Sequence, residues 1–556
     1  MSTSAALAPA DQPAASATAR PAPSRWILNR PLDLLLFVAT PLLLVPLVLA
    51  IKSPLIGADV ETIGLIVAAF GGFGHHLPGM IRAYGDRELF QRFRGRFILA
   101  PLVLVTVCVW LSLQRLNAML LILLVWGCWH ALMQVYGFVR IYDAKVGSVS
   151  PVTARWDWLM CLCWFTGGQI FSSGKMARLL ELWYTSGGPL VPPAAVQAFQ
   201  WGWLAICLVV TLGFLGNHVA QSRGPGPRPN PVKLLMLSGG IGFWWFCMVY
   251  VDQIILGIAL FEAFHDVQYL AIVWLYNCRR VSSTPNTGSF MRFLFRRSRG
   301  LLWLYIGLVF AYGAISFTSK DLQSSTLRAA LNGFVLGSTI LHFYYDGFIW
   351  KVRESSTRAA LGLGAGAAAS GMRRITWGEA GHLLKWSPLV LILGWLTMAE
   401  LSGSTLPENA DGRVWPPGQQ IAQSQNIAAA VPADLQNQRR LATALAESGR
   451  APEAIRLLNE MLEARPDYAY GYELLADIYL AHDAVEEAVR NYLLAVEYST
   501  SDVQRLEVHN RLGEIYLNHQ FFDEARQEFT AALKIDPQYE PSLSGLSRAR
   551  AAERSR

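Results

Sequence analysis

Eleven apolar runs of membrane-spanning length, at roughly 32–51, 60–78, 97–113, 117–137, 156–172, 198–216, 233–250, 253–276, 301–317, 329–350 and 387–402, leave the first 402 residues few alternatives. About 20 apolar residues in a helix match the hydrocarbon thickness of a bilayer, and backbone in hydrocarbon must satisfy its own hydrogen bonds. The expected fold class is therefore all-α, with a polytopic transmembrane bundle of about eleven helices over residues 31–402. The composition agrees: 53% of the 556 residues are hydrophobic and 16% charged, which excludes an ordinary soluble enzyme.

The net charge of +7 does not point to nucleic acid, because the basic residues follow the loops instead of forming one patch. With the N-terminus placed in the cytoplasm, inside segments hold 26 Lys and Arg, and outside loops hold 6. Lysine and arginine near short loops set orientation, so this bias predicts a cytoplasmic N-terminus. An odd number of spans then puts everything after residue 402 on the far side of the cytoplasmic (inner) membrane, in the periplasm of a Gram-negative cell. Residues 1–30 are rich in Ala, Ser and Pro without a signal-peptide pattern, and read as a disordered cytoplasmic tail. The seven cysteines show neither a disulfide framework nor paired zinc-type spacing.

His75, His76, His130, His218, His265 and His342 all fall on even-numbered spans, in or near their cytoplasmic halves. Polar groups in hydrocarbon cost free energy unless partnered, so histidines gathered at one depth mark a candidate site. Carboxylates and amides accompany them. Glu262-x-x-His265-Asp266, His342-x-x-x-Asp346 and His130-x-x-x-Gln134 each place two polar groups on one helical face. Helix bundles build metal sites from Glu-x-x-His pairs and facing ligands. The predicted ligands are His75, His76, His130, Glu262, His265 and His342; Asp266 and Asp346 orient ring N–H groups, and Gln134 and Tyr269 line the cavity. Taken singly, an intramembrane histidine is more often a packing or interfacial residue than a ligand, and that reading covers His218 and His382 at loop edges. Basic residues at the ends of these spans (Arg82, Arg140, Arg279, Arg280, Lys351, Arg353) are accounted for by topology and contact with anionic lipid.

Imidazole with carboxylate suits iron, zinc or manganese, and no cysteines stand in ligand spacing. The layout resembles that of the histidine-rich membrane desaturases, lipid hydroxylases and carotenoid-cleaving oxygenases, although the HxxxH and HxxHH boxes of the first two are absent here. The resemblance implies one or two non-heme iron ions and dioxygen chemistry on a membrane lipid or other hydrophobic substrate, reached from the cytoplasmic leaflet. Haem fits less well, because carboxylates flank the histidines. Two other readings compete. Membrane glycosyltransferases with polyprenyl-linked donors also carry trailing repeats, but they need an acidic pair in a long first outer loop, and here KSPLIGADVET (52–62, with Asp59 and Glu61) is short. A non-enzymatic assembly scaffold would need one or two helices as an anchor, not eleven.

After residue 402 the composition changes. A Pro- and Gly-rich segment, 403–432, reads as a linker, and an internal period begins in 433–556. LGEIY (512–516), Ala525, Phe529, Ala532 and Pro537 are echoed by LADIY (475–479), Ala488, Tyr492 and Ala495, and more weakly by LATAL (441–445), Ala454, Leu458 and Pro466. This pattern resembles the tetratricopeptide repeat family. It implies three helix pairs and a closing helix from about 539, stacked as an α-solenoid whose concave face binds a protein partner. His482, His509 and His519 read as ordinary surface or helix-end residues.

Overall fold

Apolar runs punctuated by Pro, Ser and Asn fold as helices whose starts those residues fix. The computed structural model describes residues 24–51, 66–251, 254–318, 322–350, 378–402 and 416–554, with residues 64, 357–358, 361, 363, 408–409 and 412–413. Residues 1–23, the outer loop 52–62, Lys351, Arg353 and the His382 side chain lie outside the described residues. The main helices of the first part are α1 (Thr40–Ile51), α2 (His76–Gly85), α3 (Arg94–Leu113), α4 (Ala118–Lys145), α5 (Pro151–Phe171), α6 (Ser173–Thr185), α7 (Pro193–Arg223), α8 (Pro231–Trp245), α9 (Ile254–Ser283), α10 (Arg299–Phe317), α11 (Ser325–Ile349) and α12 (Gly378–Ser402). Ser150 and Asn230 show how the ends are set: each side chain accepts a backbone N–H of the first turn, and a proline occupies the first helical position.

Six of these helices are long and apolar enough to cross a membrane: α3, α4, α7, α8 continued through Tyr250, α9 from Leu256, and α10. Leu99, Leu102, Val209, Leu212 and Trp303 project outward from α3, α7 and α10, an apolar surface that suits hydrocarbon better than water. The other expected spans differ for visible reasons. The run at 32–51 is divided into Arg30–Asp33, a π-helical turn Leu34–Val38, and α1. Helices α5 and α11, at 21 and 25 residues, have the length but carry more polar side chains.

The packed body begins earlier than the sequence predicts. Ile27 is 2% exposed, and its N–H and that of Leu28 donate to the buried Asp33 carboxylate at 2.7 and 2.9 Å. Tyr142 OH reaches the same carboxylate at 3.1 Å, fixing this segment to α4.

Two devices hold the helices in register. On α11, Gly333 and Gly337 meet α3 so closely that an added Cβ would lie 2.5 Å from Val109 Cα and 2.9 Å from Val105 Cα. Small residues four apart let two backbones approach in a medium that supplies no hydrophobic drive. Between α4, α5 and α8, Lys233 is fully buried, with Nζ 2.8 Å from Asp143 Oδ2 and 3.0 Å from Asp157 Oδ1. Arg140 Nη1 closes the cluster on the same two carboxylates at 3.0 and 2.7 Å, so two cations balance two anions.

Apart from a two-residue ladder pairing Glu408–Asn409 with Gly412–Arg413, every regular element among the described residues is helical. The stretch expected as linker contains α13 (Pro417–Ala430), a helix of 14 residues. It packs on the first part of the chain: Ile427, Ala430 and Val431 join Ala177, Leu180 and Tyr184 of α6 in one apolar cluster. Tyr184 OH donates to Asn426 Oδ1 at 2.7 Å. The three repeats are α14 (Leu435–Glu447) with α15 (Ala451–Ala464), α16 (Ala469–Ala481) with α17 (Val485–Tyr498), and α18 (Asp502–Asn518) with α19 (Phe522–Ile535). The closing helix is α20 (Glu540–Arg554). Ala488, Tyr492, Ala495, Ala525, Phe529 and Ala532 are completely buried between paired helices, as their spacing predicts. His482 and His519 end their helices, each with Nδ1 on the carbonyl oxygen of the preceding turn, and His509 Nδ1 pairs with Glu528 at 2.7 Å.

Candidate metal centre

Four histidines from four separate helical segments converge. His75 sits between a π-helical turn, Val67–Phe73, and the start of α2; His130 comes from α4, His265 from α9 and His342 from α11. A π-helical turn adds a residue to the helix and re-aims the side chains beyond it, a device common at functional sites. One ring nitrogen from each histidine lies within 4.8 Å of every other. The closest approaches form a chain: His75 Nε2 to His342 Nε2 at 3.0 Å, His342 Nε2 to His130 Nε2 at 3.2 Å, and His130 Nε2 to His265 Nε2 at 3.1 Å. His75, His265 and His342 are buried, and His130 is partly buried.

These contacts exceed what imidazoles can satisfy among themselves. A neutral ring nitrogen is either one donor or one acceptor, so four nitrogens in a chain of three contacts make at most two hydrogen bonds. The His342–His130 approach is left without a proton to share. A cation accepting four lone pairs removes the conflict. With metal–nitrogen bonds of about 2.0–2.1 Å, neighbouring ligand atoms stand about 3.3–3.4 Å apart in a tetrahedron and about 2.8–3.0 Å apart in an octahedron. The three closest separations lie between these values, and the other three are within 4.8 Å.

Carboxylates surround the four rings. Asp266 Oδ1 stands 2.7 Å from His75 Nδ1, off the line of its N–H, which points to the Gly71 carbonyl oxygen at 3.2 Å. Neither Asp266 oxygen accepts an aligned hydrogen bond among the described residues. Glu262 completes a second group with His75 and Asp266, their ligand atoms within 4.8 Å of one another. Gly71 makes room for this arrangement, since a Cβ there would run into the Asp266 carboxylate. On the other side, Asp346 Oδ1 accepts from Tyr269 OH at 3.1 Å and Trp350 Nε1 at 2.9 Å, while Oδ2 faces His342 Nε2 at 3.7 Å.

Of the predicted ligands, His76 and Glu262 stand outside the four-nitrogen set. The His76 ring stacks on that of His342, with centroids 4.6 Å apart, and its Nδ1 bonds Ser338 Oγ at 3.1 Å; Tyr312 OH meets the same hydroxyl at 2.8 Å. Gln134 binds the His265 carbonyl oxygen at 2.9 Å and Gln268 Oε1 at 3.0 Å, fixing α4 against α9. Gln268 continues this link to the Phe37 carbonyl oxygen at 2.7 Å. Sequence reasoning missed Ser338, Tyr312, Gln268 and Trp350; Trp350 alone carried a signal, four residues after Asp346 on the same face. His218 lies apart on α7 beside Phe214. The seven cysteines are buried and unbridged, and none belongs to either ligand group.

Residues 506–539 match the family model of the tetratricopeptide repeat. No curated protein matches the chain.

Proposed function

We propose that this is an integral-membrane, metal-dependent oxidoreductase of the non-heme iron type, an oxygenase, desaturase or hydroxylase acting on a lipid or other hydrophobic substrate from the cytoplasmic leaflet. The observation that carries the reading is the convergence of His75, His130, His265 and His342 at nitrogen separations of 3.0–3.2 Å, which four uncharged rings cannot satisfy. In this reading the bundle crosses the cytoplasmic membrane eleven times with its N-terminus inside, and the repeats stand outside and recruit a protein partner. The six long apolar helices support a membrane protein of this kind.

The donor set favours iron, zinc or manganese over copper(I), because imidazole and carboxylate are present and thiolate is not. Among these, iron matches a site enclosed by apolar helices: C–H bonds of a hydrocarbon chain yield to a redox-active metal with dioxygen and not to a Lewis acid alone. Haem is disfavoured, because the four nitrogens share one small volume and leave no room for a macrocycle between any two of them. One ion fits the four imidazoles, and the second group of His75, Glu262 and Asp266 is where another would be held. The protein's own contribution is positional. Asp266 sets the His75 ring and stabilises positive charge developing on it; Tyr269 and Trp350 hold Asp346 beside His342.

The test is elemental analysis of purified protein. One or two iron ions per chain are expected, lost in His265→Ala and in His342→Ala while the repeats stay folded. Active wild-type protein free of transition metal would refute the proposal, and a Soret band in its visible spectrum would replace it with a cytochrome.

A further inference from the structure

The arginine one and a half turns beyond His76 is not interfacial, contrary to what its position in the sequence implies. Arg82 is 2% exposed. Its guanidinium carbon lies 4.0 Å from the Tyr276 ring centroid and 3.9 Å from that of Trp350. Only Nη2 has a hydrogen-bond partner, the Tyr276 hydroxyl at 2.8 Å, and among the described residues Nε and Nη1 have none. Ring faces attract the flat of a guanidinium, but its N–H groups lie in the plane and need acceptors at the edge.

The neighbouring carboxylates are engaged elsewhere. Asp86, one turn along α2, is taken by Arg280 at 2.9 Å, and Arg280 also holds Glu88 at 2.6 Å. Asp346, beyond the Trp350 ring, is occupied by Tyr269 and Trp350 and turns its other oxygen to His342. A buried cation without a matching anion is unfavourable, because its desolvation is not repaid. Among the described residues no carboxylate is left to pair with Arg82, and the oxyanion of a ligand would supply the match.

We propose that Arg82, clamped between Tyr276 and Trp350, binds the oxyanion of an amphiphilic ligand, a carboxylate or phosphate carried on an acyl chain. Trp350 joins the two sites, with its ring face on Arg82 and its N–H on Asp346 beside His342. Through Trp350 and Asp346, the clamp on Arg82 is linked side chain to side chain with His342. Anion binding stands on Arg82 alone; that the bound amphiphile is the substrate rests on the metal reading above.

The experiment uses full-length protein in a neutral detergent and measures displacement of a fluorescent acyl probe in two arms, palmitate against hexadecanol and phosphatidate against diacylglycerol. At least tenfold preference for the charged member is expected in one arm, and that arm identifies the source of the oxyanion. Arg82→Gln is expected to abolish the preference and leave the metal content unchanged. Arg82→Lys, which keeps a point charge but loses the fork, is expected to retain a reduced preference, and it takes the place of Arg82→Gln if that variant fails to fold. Equal affinities within both arms of the wild type would overturn the proposal, as would a preference that survives Arg82→Gln. Chelator-stripped wild type separates the two readings. Preference retained without metal supports Arg82 as the anchor, whereas preference lost with the metal and kept in Arg82→Gln assigns the oxyanion to the ion and overturns this proposal alone.

Discussion

His75 Nδ1 and Asp266 Oδ1 face each other at 2.7 Å across the junction between the segment entering α2 and helix α9. The Gly71 carbonyl takes the Nδ1 proton and leaves Nε2 facing the other imidazoles, while the carboxylate beside the ring supplies negative charge. Asp266→Asn preserves shape and removes the charge. Partners of this kind are worth about 10–100-fold in metal affinity, so a loss of that size is expected in a competitive chelator titration, with the fold unchanged.

Gly71 is small because Asp266 is where it is. Gly71→Ala pushes a methyl group into the carboxylate, and should weaken metal binding as Asp266→Asn does. Gly242→Ala, where an added Cβ meets nothing within 4 Å, is the control and should bind as wild type. Equal metal content in all three proteins would separate Asp266 from the site.

Lys233 joins two carboxylates whose one other cation among the described residues is Arg140, with the Asn230 N–H also donating to Asp143 Oδ1 at 3.1 Å. Replacing it with Met leaves one buried carboxylate in excess, a change that costs about 3–5 kcal/mol and should appear as a marked drop in melting temperature in detergent. The double variant Lys233→Met/Asp143→Asn restores one cation to one anion and should melt higher than the single variant.

Close approach of α3 and α11 depends on hydrogen at position 333. Gly333→Ala places a Cβ 2.5 Å from Val109 Cα and should destabilise by about 1–3 kcal/mol through overpacking. Gly347→Ala on the same helix meets nothing within 4 Å and should be neutral or mildly stabilising. Thermal unfolding of the two variants, measured side by side, checks the difference.

Legibility in the sequence came from cost. Histidines are expensive in hydrocarbon, so their shared depth marks a candidate site; of the five so marked, His75, His130, His265 and His342 converge, while His76 stacks beside His342 and turns to Ser338. Helical spacing put Glu262 and His265 on one face, yet spacing along a helix says nothing of which neighbour each side chain reaches. Here Glu262 joins His75 and Asp266, while His265 turns to His130. Arg82 read as interfacial because arginine at a helix end normally finds water; the aromatic pair that encloses it comes from two other helices, far away in the chain. The repeats were legible because small and aromatic residues recur at fixed intervals. Helix α13 was hidden by its composition, since few residues of PGQQIAQSQNIAAA are large and apolar, and its place on α6 is set by Tyr184 and Asn426, 242 residues apart.

That seating of α13 on α6 changes what the repeat module is mechanically. With Arg440 also reaching Glu181 across the same junction at 2.5 Å, the superhelix is bolted to the bundle at its first turn instead of trailing on a tether. Any protein that seats on these repeats would therefore be held at a set bearing to the bundle.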